Sequence, residues 1–135
     1  MSETEQLNLE IVSPEKLVTA KSVDMIVISG TEGDFGVLPG HAPVVSSIRP
    51  GLLEIHENDN VEKFFVTGGF VEVLKNKVSI LANEISKIDE IDIVAVENEI
   101  KDFKEKLSQT EEEIAKSLIE LEIYKLESKI ESTKL

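Results

Sequence analysis

The sequence predicts a β + α protein: an N-terminal antiparallel β-sandwich, or flattened barrel, followed by a C-terminal antiparallel two-helix hairpin. Three observations predict it. All seven glycines and all four prolines of the 135 residues lie between positions 14 and 69. Up to about residue 82, apolar residues come in short runs, several alternating with period two. Beyond residue 92 they recur every three or four residues. Glycine and proline punctuate turns, so the front reverses often and only the back is uninterrupted enough for long helices. The expected division is a sandwich over residues 1–88 and a helical hairpin over 89–135.

Each element has its own signal. "LNLEI" (7–11) alternates apolar and polar, as a strand with one buried face does. "MIVI" (25–28) is apolar on both faces, which suits a strand in a sandwich core. "LLEI" (52–55) and "KFFVT" (63–67) flank "HENDN" (56–60), whose Asn and Asp favour a hairpin turn. "FVEVL" (70–74) and "VSILA" (78–82) flank "KNK" (75–77), a second hairpin signal. Strands at this spacing with no helix between them point to an antiparallel sandwich. In the back, Ile93, Val96, Ile100, Phe103 and Leu107 share one helical face, with Asp89 expected as N-cap and Asp92 near the positive end of the dipole. "SQTEEE" (108–113) breaks the pattern, and Thr110 with Glu113 fits a capping box. The second helix carries Ala115, Ile119, Ile123, Leu126 and Ile130 as its stripe, widened by Ile114, Leu118 and Leu121. Glu97–Lys101 and Glu112–Lys116 are expected ion pairs along these helices. Two such helices alone are marginal and need a third surface, which makes the hairpin a candidate switch.

Composition removes whole classes of function. The net charge is −13, from 27 acidic and 14 basic residues, the wrong sign for neutralising nucleic-acid phosphates or adhering to anionic lipid. Aromatic residues are 4% of the chain, too few for a base-stacking platform. Without cysteine there is no thiolate catalysis, disulfide or cysteine-bound metal. No apolar run is long enough to span a bilayer. The N-terminal "MSETEQ" has neither the pattern of a signal peptide nor that of a transit peptide, so a bacterial, non-exported protein is expected.

The densest motif is "GDFGVLPGHAP" (33–43). A phosphate-binding glycine loop continues into a helix and, in the Walker form, carries a lysine; here Pro39 and Pro43 follow and no lysine is present. His41 is a candidate general base, but nothing in the sequence supplies a nucleophile beside it. His56 falls in a hairpin region. "HENDN" lacks the spacing of an EF-hand loop, and no carboxylate pair stands out among 27 acids. No metal or catalytic residue is assigned, and the stretch is read as a rigid loop that presents a surface.

"GTEGDFGVLPGHAPVVSSIRPGLLEI" (30–55), followed by "VTGGFVEVLKNKVSILA" (66–82), closely resembles the epsilon subunit of bacterial F-type ATP synthases. The resemblance implies a non-catalytic rotor part of the central stalk, bound to the gamma subunit and resting on the membrane c-ring. It would link gamma to the ring and so couple ion flow to ATP synthesis. It would sit peripherally on the cytoplasmic face of the bacterial inner membrane. Asp34 and His41 match the loop that faces the ring. The hairpin, through Ile93, Val96, Ile100, Phe103, Ile119, Ile123 and Leu126, would lie folded or reach the catalytic alpha and beta subunits and restrain hydrolysis.

Some members of that family bind ATP at the first helix through [IL]-D-x-x-R-A. Here Ile91 and Asp92 fit, but Ala95 stands where arginine belongs and Val96 where alanine belongs. Alanine offers no donor to phosphate, so no cofactor is expected. Residues 90–135 hold seven lysines against thirteen acids, a net −6. The hairpin is therefore expected to be a weak electrostatic brake that works through apolar contacts. Two other readings stay open: an adaptor outside any rotary motor, and a small acid–base enzyme using His41.

Overall fold

The computed structural model describes residues 5–135, with Lys16 described by its backbone alone. The chain falls into two compact units, residues 1–87 and 88–135. The first holds ten strands: β1 (Leu7–Ser13), β2 (Lys16–Val23), β3 (Met25–Gly30), β4 (Gly33–Val37), β5 (Val44–Ile48), β6 (Gly51–Glu57), β7 (Asn60–Val66), β8 (Gly69–Leu74), β9 (Lys77–Ala82) and β10 (Ile85–Lys87). The second holds a short 3-10 turn (Ile88–Glu90) and two helices, α1 (Ile93–Ser108) and α2 (Glu113–Thr133).

The strands run β10-β7-β6-β3-β5-β8-β9-β1-β2 across one continuous sheet, with β4 added on β3. Every pair is antiparallel except β1 with β9. The sheet folds over into two layers, because Lys21 on β2 reaches Glu57 on β6 at 3.0 Å and Glu62 on β7 at 2.7 Å. Those carboxylates hold the Lys21 ammonium above its usual range, and Lys21 holds the Glu62 carboxyl below its own.

Period two decides which side chains enter the space between the layers. On β1, Leu7, Leu9 and Ile11 are buried while Asn8 and Glu10 are exposed. Val71 and Val73 on β8 and Val78 and Ile80 on β9 join Ile26, Ile28, Leu53, Ile55, Phe64 and Val66 in one cluster. Burial of such a set supplies most of the drive to fold. Gly69 closes β8 onto β9: its φ is +146°, and an added Cβ would meet Leu81 O at 2.0 Å.

The six strands expected from the apolar runs all form, and among the described residues four more appear that the pattern does not announce. The "rigid loop" 33–43 is corrected in part, since β4 occupies its first five residues. His56 belongs to β6 rather than to a turn; the reversal is made at Asn58, whose φ is +56°. In the second unit Asp92, not Asp89, is the N-cap of α1, its carboxylate accepting from Ala95 N at 3.2 Å. Asp89 lies in the 3-10 turn. The expected capping box fails as well. Glu112 caps α2, accepting from Ile114 N and Ala115 N, while the Thr110 hydroxyl donates to Lys106 O. Glu112 is thereby committed, and the ion pairs among the described helical residues are Lys104–Glu127 and Lys125–Glu122 rather than Glu97–Lys101 or Glu112–Lys116.

Candidate partner-binding faces

The first face is the β3–β4 hairpin with the turn that follows. Asp34 lies on β4 opposite Ser29 and points to solvent. Its carboxylate pairs with the guanidinium of Arg49, at the corner between β5 and β6. Arg49 is itself fixed: its N–H donates to Ser29 O at 2.9 Å, and the Ser29 hydroxyl donates to Arg49 O at 3.1 Å. Beyond β4, Gly40 N donates to Lys75 O at 2.8 Å, tying the proline-flanked turn to the β8–β9 hairpin. His41 Nδ1 donates to Ala42 O at 2.6 Å. Asp34 and His41 thus share one stretch, but each has its own partner. His41 faces a main-chain carbonyl, and no carboxylate pairs with it among the described residues. His56 is the histidine with an acid neighbour, Glu54 at 3.2 Å on the same strand. His41, held on a main-chain carbonyl, presents a shape and has no acidic partner among the described residues through which to move a proton.

The second face was not anticipated from the sequence. Cross-strand register aligns Phe70 on β8 with Leu81 on β9, and Leu81 with Val12 on β1. These side chains, with Val45 on β5, stand on the outer side of the sheet. Val45 is 70% exposed, Phe70 57% and Leu81 50%. Glu10 and Glu72 border the apolar group. A contiguous apolar patch with a charged rim is the usual form of a protein-docking site. The signal was present in "FVEVL": once Val71 and Val73 point inward, Phe70 and Leu74 must point outward.

The helical unit divides its apolar residues between two faces. Val96, Ile119 and Ile123 are buried, and Ile100, Phe103, Leu107 and Leu126 are partly so. Ile93, expected in this stripe, is exposed at the start of α1. Ile114, Leu118 and Leu121, expected to widen the stripe, are exposed and line up with Tyr124 on another side of α2. At the degenerate ATP motif the Asp92 carboxylate is engaged in capping, Ala95 is exposed without a donor, Val96 is buried and Ile91 is partly buried. No group of His, Cys, Asp or Glu suited to a metal occurs among the described residues, and no described helix is long and apolar enough to cross a membrane.

Known proteins share both the sequence and the fold of this chain. Residues 6–88 match the family model described as ATP synthase, Delta/Epsilon chain, beta-sandwich domain. The chain is 34% identical over 133 residues to the ATP synthase epsilon chain of Rhodospirillum centenum, covering 94% of this chain and 91% of that one. It is 38% identical over 130 residues to ATP synthase epsilon chain 1 of Nitrobacter hamburgensis, covering 95% and 96%. Its fold superposes on a chain of the Euglena gracilis mitochondrial ATP synthase, solved as OSCP/F1/c-ring, with a TM-score of 0.81 and 25% identity, covering 91% of this chain and 78% of that one. A chain from the Tetrahymena thermophila central stalk and c-ring shares the fold at a TM-score of 0.57 and 19% identity, covering 66% and 72%. With the family model spanning well over half its length, and relatives matched almost end to end, this chain belongs to the ATP synthase epsilon-chain family.

Proposed function

We propose that this chain is a rotor part of an F-type ATP synthase whose two sandwich faces serve two partners. The outer apolar face around Val12, Val45, Phe70 and Leu81 docks on the gamma subunit, and the β3–β4 hairpin with the turn through His41 rests on the c-ring. The protein does no chemistry of its own. It transmits torque between ring and gamma, on the cytoplasmic side of a bacterial inner membrane. The exposed apolar face is the observation that carries this reading, because an isolated soluble domain gains nothing from displaying it. The test is binding to F1 that lacks this chain. Phe70→Glu should weaken binding roughly 30-fold, about 2 kcal/mol, with unchanged circular dichroism. Undiminished affinity in a folded variant would move the gamma site elsewhere.

The hairpin, proposed over residues 89–135, serves regulation. Its second apolar stripe, Ile114, Leu118, Leu121 and Tyr124, is available to the alpha and beta subunits, while the net −6 of residues 90–135 opposes electrostatic docking. Inhibition of ATP hydrolysis by the full chain, compared with residues 1–88, should therefore be modest and insensitive to salt. Strong inhibition relieved by salt would make the lysines a functional face. Without the arginine of the nucleotide motif, ATP is expected not to bind at millimolar concentration, as calorimetry would register.

A further inference from the structure

Helix α2 carries apolar residues on two faces, and one of them is left uncovered. Ile119 and Ile123 are buried, while Ile114 is 70% exposed, Leu118 60%, Leu121 45% and Tyr124 49%. The four exposed residues follow one another at spacings of four, three and three. On a helix that rises about 1.5 Å per residue they form one strip about 15 Å long.

One border of the strip is acidic and regular. Glu113, Glu120 and Glu127 recur every seven residues, and all three are exposed. With Ile114 and Leu121 at the a positions of a heptad, and Ser117 and Tyr124 at d, these glutamates fill three successive g positions. Charge at g and e chooses the partner of a helical seam. Glu127 lies 3.9 Å from Lys104, with both side chains more than half exposed. Neither Glu113 nor Glu120 has an ion-pair partner among the described residues. On the other border the e positions are Leu118, Lys125 and Ser132, and Lys125 is engaged with Glu122 at 3.4 Å.

This border disfavours a second copy of the chain. Two antiparallel copies of α2 would set three glutamates against three glutamates, since g then faces g. Parallel copies would set g against e, and the one cation there is Lys125, already held by Glu122. Like charges across a seam cost affinity and reject the partner that brings them. The complement of the strip is a helix with its own apolar seam and cations at the positions that meet the glutamates.

We propose that the outer face of α2 binds a basic amphipathic helix of another protein, one with lysine or arginine every seventh residue beside its apolar seam. The same strip is the one available to the alpha and beta subunits, so a helix bound here would hold the hairpin off them.

The test uses the full chain and two synthetic 21-residue helical peptides, identical in their leucine seam, one with lysine and the other with glutamate at every e and g position. The lysine peptide should bind at least about tenfold more tightly in an anisotropy titration. Glu113→Lys with Glu120→Lys should reverse that preference. The same charge change on α1, Glu97→Lys with Glu105→Lys, should leave the order of the peptides unchanged. Leu118→Ser with Leu121→Ser keeps every charge and should abolish binding of the lysine peptide. Binding that survives this last change would be diffuse attraction to an acidic protein and would overturn the proposal. Equal affinity for both peptides, or for neither, would overturn it too. So would a dimer of the parent chain in sedimentation that Leu118→Ser with Leu121→Ser dissolves, because the occupant would then be a second copy. The lysine peptide should also relieve whatever inhibition the chain exerts on ATP hydrolysis by F1. Inhibition unchanged by bound peptide would keep this site and overturn instead the alpha and beta reading of the strip.

Discussion

The sandwich and the hairpin solve the problem of burying apolar surface in opposite ways. In the sandwich, residues distant in sequence meet: β1 pairs with β9 about seventy positions later, and Lys21 joins strands more than thirty residues away. Seventeen buried apolar residues fill the space between its layers, which is enough for a closed core. In the helical unit contacts are local, three apolar residues are buried, and Ile114, Leu118 and Leu121 remain in solvent. The first region closes its own core and keeps one outer apolar face, around Val45, Phe70 and Leu81, for a partner. The second has apolar surface left over for a partner, which suits a regulatory arm better than a structural one.

The largest expected difference between them is in core substitutions. Ile28→Ala, at a site with no exposure, should cost roughly 2–5 kcal/mol in denaturant unfolding of the sandwich. Ile123→Ala should barely move that transition and should lower helix content instead. Equal effects of both on one transition would mean that the regions unfold as a unit.

A smaller effect is expected at the helix starts. Asp92→Ala removes the acceptor for Ala95 N and should cost α1 about 1 kcal/mol, read as lost helicity on heating. Asp89→Ala should leave helicity unchanged.

The smallest effect is pH dependence in the ionic cluster. Glu62 is held below its usual 4.5, so its contribution is present above that pH and is lost as pH falls through the lowered value. Lys21 is held above its usual 10.5, so its share is present below that pH and is lost as pH rises through the raised value. The cluster stabilises across the window between. Because these side chains are about a third exposed, screening keeps the effect at about 1 kcal/mol or less. Lys21→Met should flatten the acid limb of the melting profile; an unchanged acid limb would assign it to other carboxylates.

What the sequence revealed follows the same division of physics. Strands with one wet face announce themselves by alternation, as β1, β8 and β9 do. β2 begins and nearly ends with lysine, β4 holds two glycines and β5 two serines, so none carries a clean pattern; their pairing with β1, β3 and β8 decides them. The caps were misplaced by three residues at α1 and by two at α2, because any of several acids near each start could serve and only backbone direction selects one. Asp34 was visible as a surface residue, but its partner Arg49, fifteen positions on, was not. The outer apolar face required knowing which side of each strand is buried.

The central claim is that the sandwich alone makes the mechanical connection and the hairpin only modulates it. Residues 1–88 should be produced as a fragment and added with F1 lacking this chain to F1-stripped membranes, and the ion pumped per ATP hydrolysed measured. The account predicts a cooperatively folded fragment that restores the pumping ratio of the full chain. A fragment that folds and binds F1 yet leaves hydrolysis uncoupled from pumping would contradict it.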